Sequence, residues 1–417
     1  MTLKQKILDL VKPSDKDENE IKHDVTELVK KLNSAFKKSR INARAIIGGS
    51  FAKSTTIKKD RYDVDIFAVF DRKYESDRIS EILEKILKKT GIVADKLPGS
   101  RDYFSVNFKM FKAEIVPVIR ITGPRDAKNI TDLSLLHVKY ITNAIRKNKK
   151  LGDEIRLVKA LCYANNCYGA ESHIKGFSGY CLELLTTYYN GFDKLIKEAG
   201  KWKDKVIIDP VKYYKGKNVL AELNEAKLLS PLILIDPVQS DRNAAAALSA
   251  EKFEVFRNIC RNFSKKPSEN FFERKIIDEN SIVKQSKKEK SELYKVIARS
   301  EKAKEDTSGS KLLKLFNLLK LKLEKEGYQF KSAWDFKNKG ARMWFSIKKN
   351  SKTVRQGPFL NMKNHVKAFR KKYRKTFSKN KRIYAYSRPK DLREIFSADE
   401  KQLSEMGIDY YMFIKIN

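Results

Sequence analysis

The 417-residue chain carries 89 Lys and Arg against 52 Asp and Glu, a formal charge of +37, with 41% hydrophobic residues. That length suits about two to four domains, each with its own core, and so one-sided a surface calls for a polyanionic partner, nucleic acid above all. There is no membrane-length apolar run and no apolar leader, Cys162, Cys167, Cys181 and Cys260 show no Cys-x-x-Cys spacing, and His23, His137, His173 and His365 are scattered; a reduced cytoplasmic protein with no membrane segment and no zinc site is expected.

Heat adaptation also enriches lysine, but it tends to raise Glu alongside Lys and does not by itself explain the sign imbalance. In chain order, Val25, Leu28, Val29, Leu32 and Phe36 give the apolar stripe of a helix capped by Ser14 or a nearby Asp. Arg44-Ala45-Ile46-Ile47 reads as a buried strand, and Gly48-Gly49-Ser50 then lets the backbone turn tightly, aim N–H groups at an anion and add a hydroxyl. Asp63 and Asp65 precede Ile66-Phe67-Ala68-Val69-Phe70, so the period of a strand sends both carboxylates to one face. Two such charges repel unless a cation lies between them, and Mg²⁺ is the hard ion that also binds nucleotide phosphates.

A helix over 76–89, stopped by Gly91, is followed by strands over 104–110 and 111–118, the second of which presents Glu114 as a third carboxylate. Residues 153–199 read as helical throughout, then come a strand at 232–235 and a helix over 244–256, with Arg242 at their junction. The Lys-, Glu- and Ser-rich stretch 283–311 reads as a solvated helix and a linker, and a leucine-rich helix from Leu312 runs to a stop at Gly327. Aromatic strands around Tyr328–Phe336 and Met343–Phe345 flank a turn at Asn338-Lys339-Gly340. The last clear element is a basic helix over 363–373 with Lys367, Arg370 and Lys371, followed by Arg374, which suits the phosphates and 2′-hydroxyls of RNA.

The Gly-Gly-Ser turn with Asp63-Val64-Asp65 resembles the signature of the archaeal-type (class I) CCA-adding enzymes, tRNA nucleotidyltransferases of the polymerase-beta-like superfamily. The resemblance recurs in Tyr168-Gly169-Ala170-Glu171-Ser172, Lys175-Gly176-Phe177-Ser178-Gly179-Tyr180, Ile235-Asp236-Pro237 and Asp241-Arg242-Asn243, and more weakly in Gly357-Pro358 with Phe369 and Tyr373. It implies an α+β multidomain chain: a nucleotidyltransferase α/β head at 1–140, a helical neck at 141–215, a body at 216–300 with roughly 380–417, and a basic tail at 301–379 gripping tRNA. The implied reaction is attack of a tRNA 3′-hydroxyl on the α-phosphate of CTP, CTP again and then ATP, without a template, by a monomer or homodimer.

The resemblance further implies that Asp63, Asp65 and Glu114 hold two Mg²⁺ ions and that Gly49, Ser50, Lys53, Thr55, Lys159 and Tyr168 steady the triphosphate. Ser134 and His137 would lie near the nucleotide and the tRNA end, and Arg242 would read the base; Arg242 alternatively pairs with Asp236 or Asp241. The family usually has aspartate at Glu114 and arginine at Lys53 and Leu133, which bears on CTP and ATP selection. A poly(A)-type or A-adding polymerase keeps the same carboxylates, and an inactive RNA-binding relative is the reading from another class.

Overall fold

A computed structural model describes residues 1–59, 61–274, 277–348, 353–387 and 389–417. The chain divides into two units, Met1–Lys275 and Ile276–Asn417.

The first unit opens with helix α1 (Leu3–Val11) and the long helix α2 (Asp15–Lys38). Ser14 caps α2 by accepting from Asp17 N at 3.1 Å, and Ile21, Val25, Leu28, Leu32 and Phe36 recur on one buried face. That stripe covers a five-stranded sheet of order β1-β2-β5-β4-β3, built from β1 (Ala43–Ile47), β2 (Tyr62–Phe70), β3 (Asp95–Leu97), β4 (Tyr103–Asn107) and β5 (Phe111–Ile119). The short helix α3 (Gly49–Ala52) follows β1, and α4 (Ile79–Lys89) lies between β2 and β3. Strands β2 and β5 run parallel, with Asp63 opposite Lys112 and Asp65 opposite Glu114.

The rest of this unit is mainly helical: α5 (Ser134–Lys147), α6 (Leu151–Ala164), α7 (Gly179–Tyr188), α8 (Phe192–Ala199) and a later helix, Ala250–Lys265, close on one apolar core that holds all four cysteines. Residues 165–178 break the expected helical run, because Asn166 turns at φ +56° and Tyr168 bridges Phe177 as extended chain. Strands β6 (Val206–Ile208) and β7 (Leu232–Leu234) pair in parallel. The helix expected over 244–256 begins only at Ala250, capped by Ser249; the Asn243 carboxamide takes the Leu234 and Ala245 N–H groups and holds the chain in a turn before it.

In the second unit, a four-stranded sheet of order β14-β8-β10-β9 joins β8 (Ser291–Arg299), β9 (Phe330–Lys337), β10 (Gly340–Lys348) and β14 (Tyr410–Lys415). The stretch expected to be a linker therefore contains a central strand, and the expected leucine-rich helix starts earlier, over Glu305–Lys325. Ser308 is buried there because its hydroxyl donates to Ser300 O at 2.6 Å. The body and tail boundaries are redrawn accordingly: β9 and β10, expected in the tail, share a sheet with β8 and β14, while 216–274 belongs with the first unit. A separate three-stranded sheet, β11 (Thr353–Phe359), β13 (Arg382–Ser387) and β12 (Thr376–Lys379), pairs β13 with both others. The basic helix Lys363–Lys372 lies between β11 and β12 in the chain.

Candidate active site

The alternation of β2 buries Val64, Ile66 and Ala68 against the core and leaves Asp63 and Asp65 on the other face. On β5 the same face carries Lys112 and Glu114. Gly48 N donates to Asp65 O at 2.8 Å, and Gly49 passes over the Asp65 side chain at φ +56°. A Cβ at Gly49 would stand 1.7 Å from Asp65 Oδ2, so glycine is required twice, for the turn and for the approach.

Burial pushes the Asp65 carboxyl up to about 6, with Glu114 and Asp63 adding to the rise and Lys53 opposing it. Asp63 meets Lys59 Nζ at 3.1 Å and Glu114 meets Lys112 Nζ at 2.7 Å. With two carboxylates turned to lysines, no three His, Cys, Asp or Glu side chains among the described residues gather their donors at one point. The donor set still fits a hard divalent cation, since all donors are carboxylate oxygens on adjacent strands, and the Glu114 and Asp63 carboxylates add to the burial that raises Asp65. Each lysine bonds one oxygen of its carboxylate, Oδ2 of Asp63 and Oε1 of Glu114.

A cleft of about 220 Å³ opens beside these strands, lined by Gly49, Ser50, Lys53, Thr55, Asp63, Asp65, Lys159, Tyr168 and Glu183, among others. Helix α3, the loop after it, helix α6 and the extended segment at Tyr168 thus bring most of the expected nucleotide residues together, and α7 adds Glu183. Glu114 is not part of that lining, although its register partner Asp65 is. Ser50 Oγ accepts from Thr56 Oγ1 at 3.3 Å. Tyr168 lies under Lys59, 5.4 Å from ring centroid to Nζ, and burial pushes its phenol up to about 12.

Glu183 is the member that the sequence reasoning missed. Its Oε2 accepts from Lys53 Nζ at 2.6 Å, and its Oε1 accepts from Lys159 Nζ at 2.7 Å and from Thr55 Oγ1 at 2.9 Å. Burial by itself would raise this carboxyl, but Lys159 and Lys53 outweigh it and hold it at about 2. The same burial draws Lys159 below the usual lysine range against the pull of Glu183. A carboxylate shared by two ammonium groups is the member that stays charged. The available signal was a glutamate inside the apolar run Leu182-Glu183-Leu184-Leu185, a position that requires buried partners.

Ser134, His137 and Arg242 do not line the cleft. Ser134 opens α5, and one turn later His137 Nε2 lies 3.0 Å from Asp236 Oδ2. Arg242 Nη1 donates to the same oxygen at 2.6 Å, while Tyr180 OH and Val238 N donate to Asp236 Oδ1 at 3.0 and 2.9 Å. Arg242 is therefore committed to Asp236, the alternative pairing considered from sequence, whereas Asp241 takes Lys227 at 3.0 Å. Burial opposes ionisation of Asp236, yet His137, Val238 N and Arg242 hold it below the usual carboxylate range. Tyr180, whose ring lies 4.3 Å from that of His137, also lines the cleft and links the two clusters.

In the second unit Lys367, Arg370, Lys371 and Arg374 are all exposed, on or just after a helix anchored by buried Val366. Gly357 explains part of the Gly-Pro motif, since a Cβ there would lie 2.9 Å from the Phe369 ring and 2.8 Å from Ile383 Cγ2. The missing side chain lets that helix seat its aromatic residue on the sheet.

Residues 153–273 match the family described as tRNA nucleotidyltransferase, second domain, and residues 1–150 match the Second Messenger Oligonucleotide or Dinucleotide Synthetase domain. The chain is 35% identical over 315 residues to the CCA-adding enzyme of Nanoarchaeum equitans, covering 75% of this chain and 76% of that one. It is 29% identical over 416 residues to the CCA-adding enzyme of Methanocaldococcus jannaschii, covering 92% and 86%. Among solved structures, a cytoplasmic RNA terminal U-transferase aligns with a TM-score of 0.52 at 13% identity, over 66% of this chain and 98% of its own. That last likeness concerns the fold alone.

Proposed function

The chain belongs to the archaeal-type CCA-adding enzymes, and from that membership we propose how its residues divide the work of adding C, C and A to the 3′ end of tRNA from CTP and ATP. Dependence on a divalent metal comes with the nucleotidyltransferase family. The assignment to two Mg²⁺ ions held by Asp63, Asp65 and Glu114 is our reading. It rests on one observation above the others: Asp65 and Glu114 are register partners on parallel strands, with Asp63 two residues before Asp65 and Gly49 directly over the Asp65 carboxylate. When bound, such ions neutralise the triphosphate and lower the pKa of the attacking 3′-hydroxyl.

The protein's own groups do the rest by positioning. Backbone N–H groups at Gly49 and Ser50, the Ser50 hydroxyl, the cluster of Lys53, Thr55 and Lys159, and Tyr168 border the phosphates, all of them lining one cleft. Lys159 acts from 2% exposure and gives its ammonium protons to Glu183, Thr55 Oγ1 and Thr55 O. Its contribution is therefore a fixed charge at the back of the cleft more than a free donor. Arg242, held by Asp236 beside His137, retains further N–H groups for a base edge, and Ser134 and His137 flank the same approach. Lys367, Arg370, Lys371 and Arg374 offer an exposed basic surface for the tRNA backbone.

The test is metal-dependent incorporation of labelled CTP and ATP into tRNA lacking its terminal CCA, with sequencing of the product ends. Asp63→Ala and Asp65→Ala should each abolish incorporation while tRNA binding stays close to wild type. Near-normal incorporation by either variant would refute the metal assignment, and A-only or long A-tailed products would favour the poly(A)-type reading.

A further inference from the structure

A carboxylate inside an apolar core is costly unless cations and donors replace its hydration. Glu183, 1% exposed on α7, recruits them from two directions: Lys53 and Thr55 from the loop following α3, and Lys159 from α6. Each Glu183 oxygen is tied to one ammonium group, and Thr55 Oγ1 donates to Glu183 while accepting from Lys159 at 3.0 Å. Lysine side chains carry large rotamer freedom, and two ammonium groups brought together without an anion repel each other.

We propose that Glu183 is a positioning residue for the triphosphate: its carboxylate fixes Lys53, Lys159 and Thr55 as a preset cationic wall before any nucleotide enters. The proposal rests on the reading of Lys53 and Lys159 as phosphate-binding groups. A wall assembled in advance spares the nucleotide the cost of ordering two long side chains. Because CTP and ATP share the triphosphate, the effect falls equally on both, in contrast to changes at Arg242.

The experiment compares Glu183→Gln, Glu183→Asp and Lys159→Met in the full chain, with inorganic tripolyphosphate plus Mg²⁺ as the probe, steady-state KM and kcat for CTP and ATP, and tRNA affinity as the control for folding. Glu183→Gln should weaken tripolyphosphate binding by about tenfold and raise both KM values by the same factor, with kcat at saturation within about threefold of wild type. Glu183→Asp keeps the charge but withdraws the anchor by one methylene, so it should still weaken the probe by about threefold; it also carries the test if the glutamine variant does not fold. Wild-type probe binding in folded Glu183→Asp or Glu183→Gln, or a loss of kcat with both KM values unchanged, overturns the proposal. Full probe binding by Lys159→Met would instead remove the phosphate reading beneath it.

Discussion

At position 49 two independent constraints meet, since the backbone turns at φ +56° and passes over the Asp65 side chain where a Cβ would lie 1.7 Å from Oδ2. Alanine there is strained in conformation by about 1 kcal/mol and forces a proposed metal ligand to move. A shift of about 1 Å at a reacting centre costs about a hundredfold in rate. Gly49→Ala is therefore expected to lose about two orders of magnitude in kcat with tRNA affinity unchanged, read by single-turnover incorporation; wild-type turnover would remove the turn from the catalytic geometry. Glu183 makes a prediction of a different kind. Its folded pKa of about 2 lies below the ordinary glutamate value of 4.5, so its contribution to stability is fully present above about 4.5 and is lost as pH falls from there towards 2. Thermal midpoints of the wild type should drop across that window. Glu183→Gln, which leaves two buried ammonium groups without their anion, should be less stable by about 3–5 kcal/mol near neutrality and should show a flatter acid slope.

Whether an element could be anticipated from sequence depended on how local its causes are. Helix α2 was legible because its apolar stripe and its basic last turn lie within 24 residues and its cap, Ser14, directly precedes them; Ser14→Ala should cost about 1 kcal/mol in denaturant unfolding without changing turnover. Strand β2 was legible because alternation places Asp63 and Asp65 together whatever the neighbours are. Strand β8 was not, since Glu292, Lys295 and Arg299 sit among its apolar residues and its partners β10 and β14 lie about 40 to 120 residues further along the chain. The helix expected at 244–256 shifted because a single carboxamide, Asn243, competes for the N–H groups around it. In the site, the carboxylates and the glycine turn could be read directly, whereas the Glu183 network depends on three segments meeting and could not be counted out from spacing. The tail helix tests a packing cause at this scale. Gly357→Val would press on Phe369 and Ile383, and it should weaken tRNA binding by about tenfold while leaving nucleotide KM intact, because overpacking of this kind typically costs about 1–3 kcal/mol.

For the whole molecule the governing quantity is the formal charge of +37. An excess of that size repels itself in the free protein and is relieved by a polyanion, so tRNA binding should be steeply weakened by salt. The sign imbalance alone does not say where the phosphates lie. Lys367, Arg370, Lys371 and Arg374 are exposed within eight residues of one another, and each phosphate-neutralising charge removed from such a cluster reduces the slope of log affinity against log salt by about 0.7–0.9. Replacing all four by alanine should therefore flatten that slope by about 3 and weaken binding at low salt most, with nucleotide affinity measured in the absence of tRNA unchanged. The four replaced side chains are all exposed, on or just after the helix, and leave its buried Val366 in place, so the three-stranded sheet should melt as before. An unchanged salt slope would mean that the +37 acts as a diffuse field over many lysines, with the tail helix a solvated face, and the grip on RNA would then have to be sought among the basic residues outside 363–374.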